Sequence, residues 1–386
     1  MKSTLAHTEA LARARQSINK RFPGAMQILS GTSEVIENIP TGIFLLDAAL
    51  GIGGIPLGRI GEAYGKPSVG KSTAMQVAGA AFQRSGRPVI WFDYEHSFDK
   101  KYARLCGMNF DENLFTLVQP ETMEDGLHII ETIIEAEIGG LIIVDSLAAM
   151  VPRVVLEADP EKSHVGVKAR LMSQTMQRLT GRIDRTGTTL IFINHLQEQI
   201  NSFAASKGIT MWTTPGGNAL KFYSSFRLEF KQAEQTVGKT PDFVSGRTVE
   251  QKILSRVTIT VTKNKLGPPL NVAYMHLRRG QGISEVDTVI DVAEQRGLIK
   301  RNSSRYILPF TKPNSPDFVN LNGLQQTVDW MLDHPEQYEI MKNKLISLVN
   351  EPIMPRNAQS NAEEISDVKN NSDTIIEEEI TMADII

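Results

Sequence analysis

The sequence predicts an α/β fold around a mostly parallel sheet, and three observations carry that expectation. First, "RPVIWF", "GGLIIVD" and "TTLIFIN" are continuous apolar runs set apart by longer stretches of helical spacing, the pattern of parallel strands covered on both faces. Second, "FRLEF", "RVTITVT" and "VAYMHL" lie closer together and alternate more, as an antiparallel extension of the same sheet would. Third, "YGKPSVGKSTAMQVAGAAFQ" joins an apolar approach, "RIGEAY", to a helix through a glycine-rich turn, the step by which an α/β chain leaves its sheet.

From Thr4 to Lys20 the residues are helix formers, with Leu5, Leu11, Ala14 and Ile18 at loosely helical spacing, and the turn-rich "RFPGAMQILSGTSEV" follows. Residues 1–35 therefore read as a helical arm on a linker. Residues 36–283 hold the strands and form the core. Residues 284–352 switch to helical spacing in "VDTVIDVAEQRGLI" and "LNGLQQTVDWMLDHPEQYEIMKNKLISLV", which suggests a small α+β C-terminal domain. Residues 353–386 lose apolar content and gain Asn, Ser, Asp and Glu, so a disordered acidic tail is expected there.

The 386-residue chain is 41% hydrophobic and 22% charged, ordinary values for a soluble globular protein. No apolar run approaches the roughly 18 residues of a membrane span, so no membrane partner is expected. The opening "MKSTLAHTEALARARQSINK" lacks the apolar segment of a secretory signal, which points to the cytoplasm. The single cysteine, Cys106, excludes an internal disulfide and reads as a small core residue. Net charge is −3, but residues 361–386 carry eight acidic side chains and one lysine, about −7, which leaves +4 on residues 1–360. The tail hides a mildly basic body.

The chemistry begins at Gly65, Gly70, Lys71 and Ser72, spaced as G-x-x-x-x-G-K-[ST]. Glycines let the backbone of Lys66, Pro67, Ser68 and Val69 curl so that successive amides face a phosphate, Lys71 reaches the outer phosphates, and the Ser72 hydroxyl can ligate Mg²⁺. Thr73 is the next hydroxyl. A glycine-rich turn with a surface lysine is the plainer reading, and the strand before and helix after argue against it. Asp145 ends a buried strand, where a carboxylate can hold the Mg²⁺ shell or merely cap a helix. Asp93 and Glu95 end another strand; a carboxylate there can orient and deprotonate an attacking water, or stand solvated in a loop. "LEADPEKSHVGVKAR" leads into a helix with Val167, Leu171, Met176, Leu179 and Ile183 inward and Lys168, Arg170, Arg178 and Arg182 on it. "LQEQINSFAASKGITMWTTPGGNALKF" is a long polar loop with Phe203 and Trp212, closed by Gly216 and Gly217. Loops of that length are commonly functional, and these two could meet a nucleic-acid backbone through Arg170, main-chain amides and small residues, or be two solvated loops. Lys263 and Lys265 share one face of a strand end.

Taken in order, these stretches resemble the bacterial RecA recombinase family over about residues 5–285, with "TGIFLLDAALGIGGIPLGRIGEAYGKPSVGKST", "FDYEHSFDKKYARLCG", "IIVDSLAAMVP", "SHVGVKARLMSQTM", "LIFINHL", "TPGGNALKFYSSFRLE" and "VTKNKLGPP" matching. The stretch "GGNALKFYSS" discriminates far better than the phosphate loop. The resemblance implies a RecA-type phosphate-loop ATPase core and a helical filament of identical subunits on single-stranded DNA. That filament pairs with homologous double-stranded DNA and exchanges strands, with DNA-stimulated ATP hydrolysis and a part in DNA repair and the SOS response. It further implies Glu95 as general base, Lys71 and Ser72 on phosphate and Mg²⁺, Asp145 supporting the metal, and Asp99 and Tyr102 near the adenine. The two DNA loops would carry Ser163, His164, Val165 and Arg170, and then Gly216, Gly217 and Asn218. Lys263 and Lys265 would reach a neighbour's ATP phosphates, and the N-terminal helix would pack on the next subunit. Single-strand-binding and loader proteins are further implied partners.

The sequence departs from the family at Asn194-His195, where the strand usually ends on Asn-Gln and the Gln senses the γ-phosphate; T4-like phage recombinases have Asn-His at this point. His195 can donate to a phosphate as an amide does. The second loop is longer, "LQEQ" lacks the usual basic residues, and Gln177 replaces an expected arginine, so DNA affinity and its salt dependence should fall. A RecA-fold ring motor is disfavoured by "GGNALKFYSS" and the paired lysines. A DNA-coating protein with little turnover is disfavoured by Lys71 and Glu95.

Overall fold

The structure, a computed structural model, describes residues 2–22, 36–158, 166–199, 211–241, 248–310 and 319–350. The expectations placed on Ser163, His164, Val165, Phe203, the linker after the arm and the tail at 353–386 lie outside those residues. The chain forms two compact units, residues 1–37 and 38–386. In the first, Lys2–Arg21 (α1) is a 20-residue helix whose last turn carries Lys20 and Arg21, where cations suit the exposed carbonyls.

The second unit is built on a nine-stranded sheet. In chain order its strands are Ile60–Gly65 (β1), Val89–Asp93 (β2), Phe115–Val118 (β3), Leu141–Asp145 (β4), Thr189–His195 (β5), Phe226–Pro241 (β6), Thr248–Asn264 (β7), Val272–Arg278 (β8) and Gly282–Ser284 (β9). Their spatial order is β9-β8-β7-β6-β1-β5-β4-β2-β3. The run from β6 through β1 to β3 is parallel, while β6-β7, β7-β8 and β8-β9 are antiparallel. The expected division therefore holds with one shift: "FRLEF" opens β6, which is parallel to β1 on one side and starts the antiparallel extension on the other.

The continuous apolar runs have a direct physical reason. Trp91, Ile143, Ile191 and Ile193 enter the cluster on one face of the sheet, and their chain neighbours Ile90, Phe92, Ile142, Val144, Leu190 and Phe192 enter the other. Alternate residues of one strand thus serve opposite faces, and neither face can be polar. Lys71–Arg84 (α2) covers the first face with Ala74, Met75, Ala78 and Phe82. Met123–Glu135 (α4) and Val167–Thr186 (α5) cover the second; the short Lys100–Leu105 (α3) lies between α2 and α4 in the chain. On α5 the buried stripe is Met172, Thr175, Met176, Leu179 and Ile183, while Val167 and Leu171 are half-buried, so the stripe begins at Met172 and not at the expected Val167.

After β9 come Glu285–Gln295 (a helix), a three-stranded sheet of Lys300–Asn302, Arg305–Ile307 and Asn320–Asn322, and the helices Leu324–Asp333 and Pro335–Asn350. Asp287 on the first helix is buried and takes both Nε and Nη2 of Arg278 from β8, the latter at 2.8 Å. Cys106 is buried, as expected, and burial pushes its thiol up to about 11. Among the described residues no helix is long and apolar enough to cross a membrane.

Candidate nucleotide and DNA site

Parallel strands deliver their carboxyl ends to one edge of the sheet, and the crossover between β1 and β5 opens a crevice there. Gly65 of β1 pairs in register with His195 of β5, and Asp93 of β2 with Asp145 of β4. Four strand ends thus come together at one edge of the sheet. Between Gly65 and α2 the loop is exposed at Lys66, Pro67 and Ser68, with Val69 buried beneath it. Gly70, at φ 93°, turns the chain into α2 in a conformation that L side chains rarely adopt.

Lys71 heads α2 and is buried, its Nζ donating to the carbonyls of Lys66 at 2.8 Å and Gly65 at 3.2 Å. Burial lowers it to about 8, with Asp145 and Glu95 pulling the other way. Ser72 donates to Asp145 Oδ2 at 2.8 Å. Burial raises Asp145 to about 6 against that hydrogen bond. Ser72 and Asp145 thus set two oxygen ligands side by side, a donor set that fits Mg²⁺ completed by water and phosphate.

His195 stands between cation and carboxylate. Its Nδ1 lies 3.4 Å from Lys71 Nζ and its Nε2 2.8 Å from Glu95 Oε1. A carboxylate only accepts and an ammonium only donates, so this pair of contacts selects the Nε2–H tautomer. Glu95 also accepts from Ser146 Oγ at 2.5 Å. The His195 hydrogen bond, with help from Ser146, holds the Glu95 carboxyl down at about 2 despite partial burial. Asp93 is engaged elsewhere: it is buried and accepts from the amides of Ser97 and Phe98, both at 3.1 Å, and from Gln119 at 3.2 Å. It shapes the loop that carries Glu95, and the structure leaves Glu95 as the carboxylate of that loop at the site.

Beside His195, Asn194 is fully buried and uses all three hydrogen bonds open to its side chain here. Its Nδ2 donates to Glu62 Oε1 at 3.0 Å and to the Pro215 carbonyl at 3.1 Å, and its Oδ1 accepts from the His195 amide at 3.0 Å. Glu62 takes Arg227 Nε at 2.6 Å on its other oxygen. The strand end is thereby tied to the residue preceding Gly216. Gly216 lies so close to Leu147, and Gly217 to Ala169, that an added Cβ would come within 2.7 Å of either side chain. Asn218 then caps the five-residue helix Ala219–Tyr223 (α6) by backbone position alone.

Five of the expected cations have partners within the chain. Arg178 pairs with Glu131 at 2.6 Å and Arg182 with Glu135, joining α5 to α4. Lys168 donates to the carbonyls of Ala148 at 2.9 Å and Leu147 at 3.3 Å. Lys263 donates to Lys221 O at 2.6 Å and Phe222 O at 2.9 Å, and Lys265 to Phe222 O at 3.2 Å, at the carbonyl end of α6. Arg170 is exposed in the first turns of α5. Asp99 caps α3 through the amides of Lys101 and Tyr102, and Tyr102 Oη lies 3.2 Å from Thr73 Oγ1.

Three contributors were missed by sequence reasoning. Glu62 had a signal, a lone acid inside the apolar "RIGEAY", which demands a buried partner. Ser146 and Arg227 had none.

A family model described as the RecA N-terminal domain matches residues 9–284. Protein RecA of Enterococcus faecalis is 38% identical over 329 residues, 85% of this chain and 88% of its own length. Protein RecA of Lactobacillus johnsonii is 38% identical over 339 residues, 87% and 88% of the two chains, and that of Arthrobacter sp. 37% over 357 residues, 92% and 95%. With the match running through every strand that carries the phosphate site, and relatives aligned over most of their own length, the chain belongs to the RecA family.

Proposed function

We propose that the chain is an ATP-dependent recombination protein that forms a filament on single-stranded DNA in the cytoplasm, pairs it with homologous duplex and exchanges strands. The RecA N-terminal domain match over residues 9–284 carries this reading, and Lys71, His195 and Glu95 in one hydrogen-bonded line beside Ser72 and Asp145 support its ATP-dependent step. The loop amides and Lys71 receive the outer phosphates, Lys71 exchanging the carbonyls of Lys66 and Gly65 for phosphate oxygens. Ser72 and Asp145 would hold Mg²⁺, which would supply neutralisation of the phosphate charge. Glu95 orients a water whose oxygen bonds to the γ-phosphorus as the bond to the bridging oxygen breaks, and the carboxylate takes the water's proton. A carboxyl held at about 2 is ionised throughout the neutral range but is a weak base. If His195 turns from Glu95 to a γ-phosphate oxygen, the carboxylate loses the hydrogen bond that lowers it most and becomes more basic. His195 therefore couples arrival of the γ-phosphate to the base and, through Asn194 and Pro215, to the second DNA loop.

The adenine belongs beside Tyr102, which lines a cleft of about 360 Å³ with Leu277, Arg279 and Gly280. Lys263 and Lys265 reach a neighbour's phosphates by leaving the carbonyls of α6. Residues 1–35 and 284–352 act as the subunit-packing arm and a small C-terminal domain. Electron microscopy of the protein on single-stranded DNA with a slowly hydrolysed ATP analogue tests the reading: continuous helical filaments are expected, and closed rings or isolated monomers would overturn it.

A further inference from the structure

A cavity of about 760 Å³ lies between the phosphate loop and the returning strand of the second loop. That size is within the roughly 300–1,000 Å³ of small-ligand sites. Lys66, Lys221, Arg227 and Lys231 line it with Glu229; Arg227 is paired with the buried Glu62 and Lys231 with Glu229 at 2.8 Å, so Lys66 and Lys221 carry its positive character. At its wall stands Trp212, with 47% of its surface exposed. Of the other two tryptophans, Trp91 is buried in the core and Trp330 is stacked between Phe310 and His334. Trp212 is held in place by the ribbon in which Met211–Thr213 pairs with Gln197–Gln199, with Trp212 opposite Glu198 and only Leu196 separating His195 from that strand. One ring face is covered: Lys66 Nζ, from the phosphate loop itself, sits 4.9 Å from the ring centroid.

An exposed indole in a basic cavity suits a planar, anionic ligand, and a nucleotide unit supplies both parts. Bases of every type stack on aromatic rings while the phosphates answer the cations. The ammonium on the ring is a competitor for that position. A polyphosphate in the loop offers it a full negative charge in place of a ring quadrupole, a stronger partner for a cation. We propose that Trp212 is a stacking platform for a base of single-stranded DNA and that Lys66 gates it, leaving the indole when phosphate occupies the loop. This rests on the reading of the chain as an ATP-dependent DNA-binding protein. It gives that chain a direct link from phosphate loop to DNA loop that does not pass through His195.

The test is tryptophan fluorescence of the full chain titrated with a thymidine oligomer, with and without a slowly hydrolysed ATP analogue, beside anisotropy of the same oligomer carrying a dye. The Trp212 signal is the part that disappears in Trp212→Phe. Quenching of that part by the oligomer is expected, at lower oligomer concentration when the analogue is present. Lys66→Met should tighten the analogue-free quenching by about two- to fivefold, the scale of one exposed cation–π contact. Trp212→Leu should weaken oligomer binding at least about fivefold, the lower end for loss of one base stack. Thymidine monophosphate at equal nucleotide concentration should not quench; equal quenching would make this a free-nucleotide site and overturn the DNA assignment. Oligomer binding by anisotropy without Trp212 quenching overturns the platform alone, and quenching in Lys66→Met no tighter than in the parent overturns the gate. No oligomer binding by anisotropy under any condition overturns the underlying DNA-binding reading.

Discussion

At the phosphate end of the sheet polar side chains meet one another: Lys71 with His195, His195 with Glu95, Ser72 with Asp145. Along α5, the helix read as following the first DNA loop, Lys168, Arg178 and Arg182 instead meet carbonyls and acids of their own chain, while Arg170 stands exposed. The difference teaches that the polar groups at the phosphate end are held in place by one another, whereas the cations of α5 are committed to other parts of the fold. Phosphoryl transfer gains from groups fixed in advance, because catalysis there is mostly positioning and charge. A surface that must bind many DNA sequences, and release them, needs few fixed side chains and gains from contacts made only in the complex.

The largest effect should come from removing the frame beneath the assembled side. Glu62→Ala leaves Arg227 largely buried without its carboxylate and should cost about 3–5 kcal/mol in urea denaturation. Glu62→Gln, which keeps an acceptor for Asn194, should cost less; a loss below about 1 kcal/mol for the alanine variant would show that the frame is dispensable. Next, Glu95→Gln should slow steady-state ATP hydrolysis by at least about 100-fold with nucleotide affinity little changed. Turnover near the parent rate would remove Glu95 from catalysis. On the opposite side the effects are smaller. Arg170→Ala should weaken single-stranded DNA binding and reduce the logarithmic salt slope by about 0.7, the value of one phosphate contact, whereas Arg178→Ala should leave the slope alone. Equal slopes for both variants would erase the distinction between exposed and internally paired cations. The smallest effect belongs to the tail: truncation after Pro355 should speed binding to duplex DNA at low salt, where its roughly −7 charge is least screened. Identical association rates would show the tail inert in this step.

How much could be read beforehand follows the same division. The strands of the assembled side announce themselves because Ile90 and Trp91, or Ile142 and Ile143, must be apolar on both faces, and each run stops where a carboxylate or amide begins. Phe115–Val118 was not foreseen because an edge strand with half its residues exposed has no such run. The ribbon of β6 and β7 extends well past "FRLEF" and "RVTITVT", since Gln232, Glu234 and Gln235 pair with a facing strand without burying an apolar face. The roles of Lys263 and Lys265 at the carbonyl end of α6 depend on residues some forty positions away in the chain, whereas the cap that Asp99 places on α3 is local and legible as an aspartate before a helix. The link from Asn194 to Pro215 joins residues 21 apart across a loop, and no pattern of residue types marks it.

The central claim is that the line from Lys71 through His195 to Glu95 couples ATP to DNA, and His195 tests it most directly. The measurement is the gain in single-stranded DNA affinity produced by a slowly hydrolysed ATP analogue, compared for the parent, His195→Ala and His195→Gln, with analogue affinity determined alongside. The account predicts that His195→Ala binds the analogue within a few-fold of the parent yet loses most of the gain, a loss of coupling without loss of binding, while His195→Gln keeps it. A His195→Ala variant with the parent's full gain would contradict the account, leaving His195 as a strand-end residue that merely sits between a lysine and a glutamate.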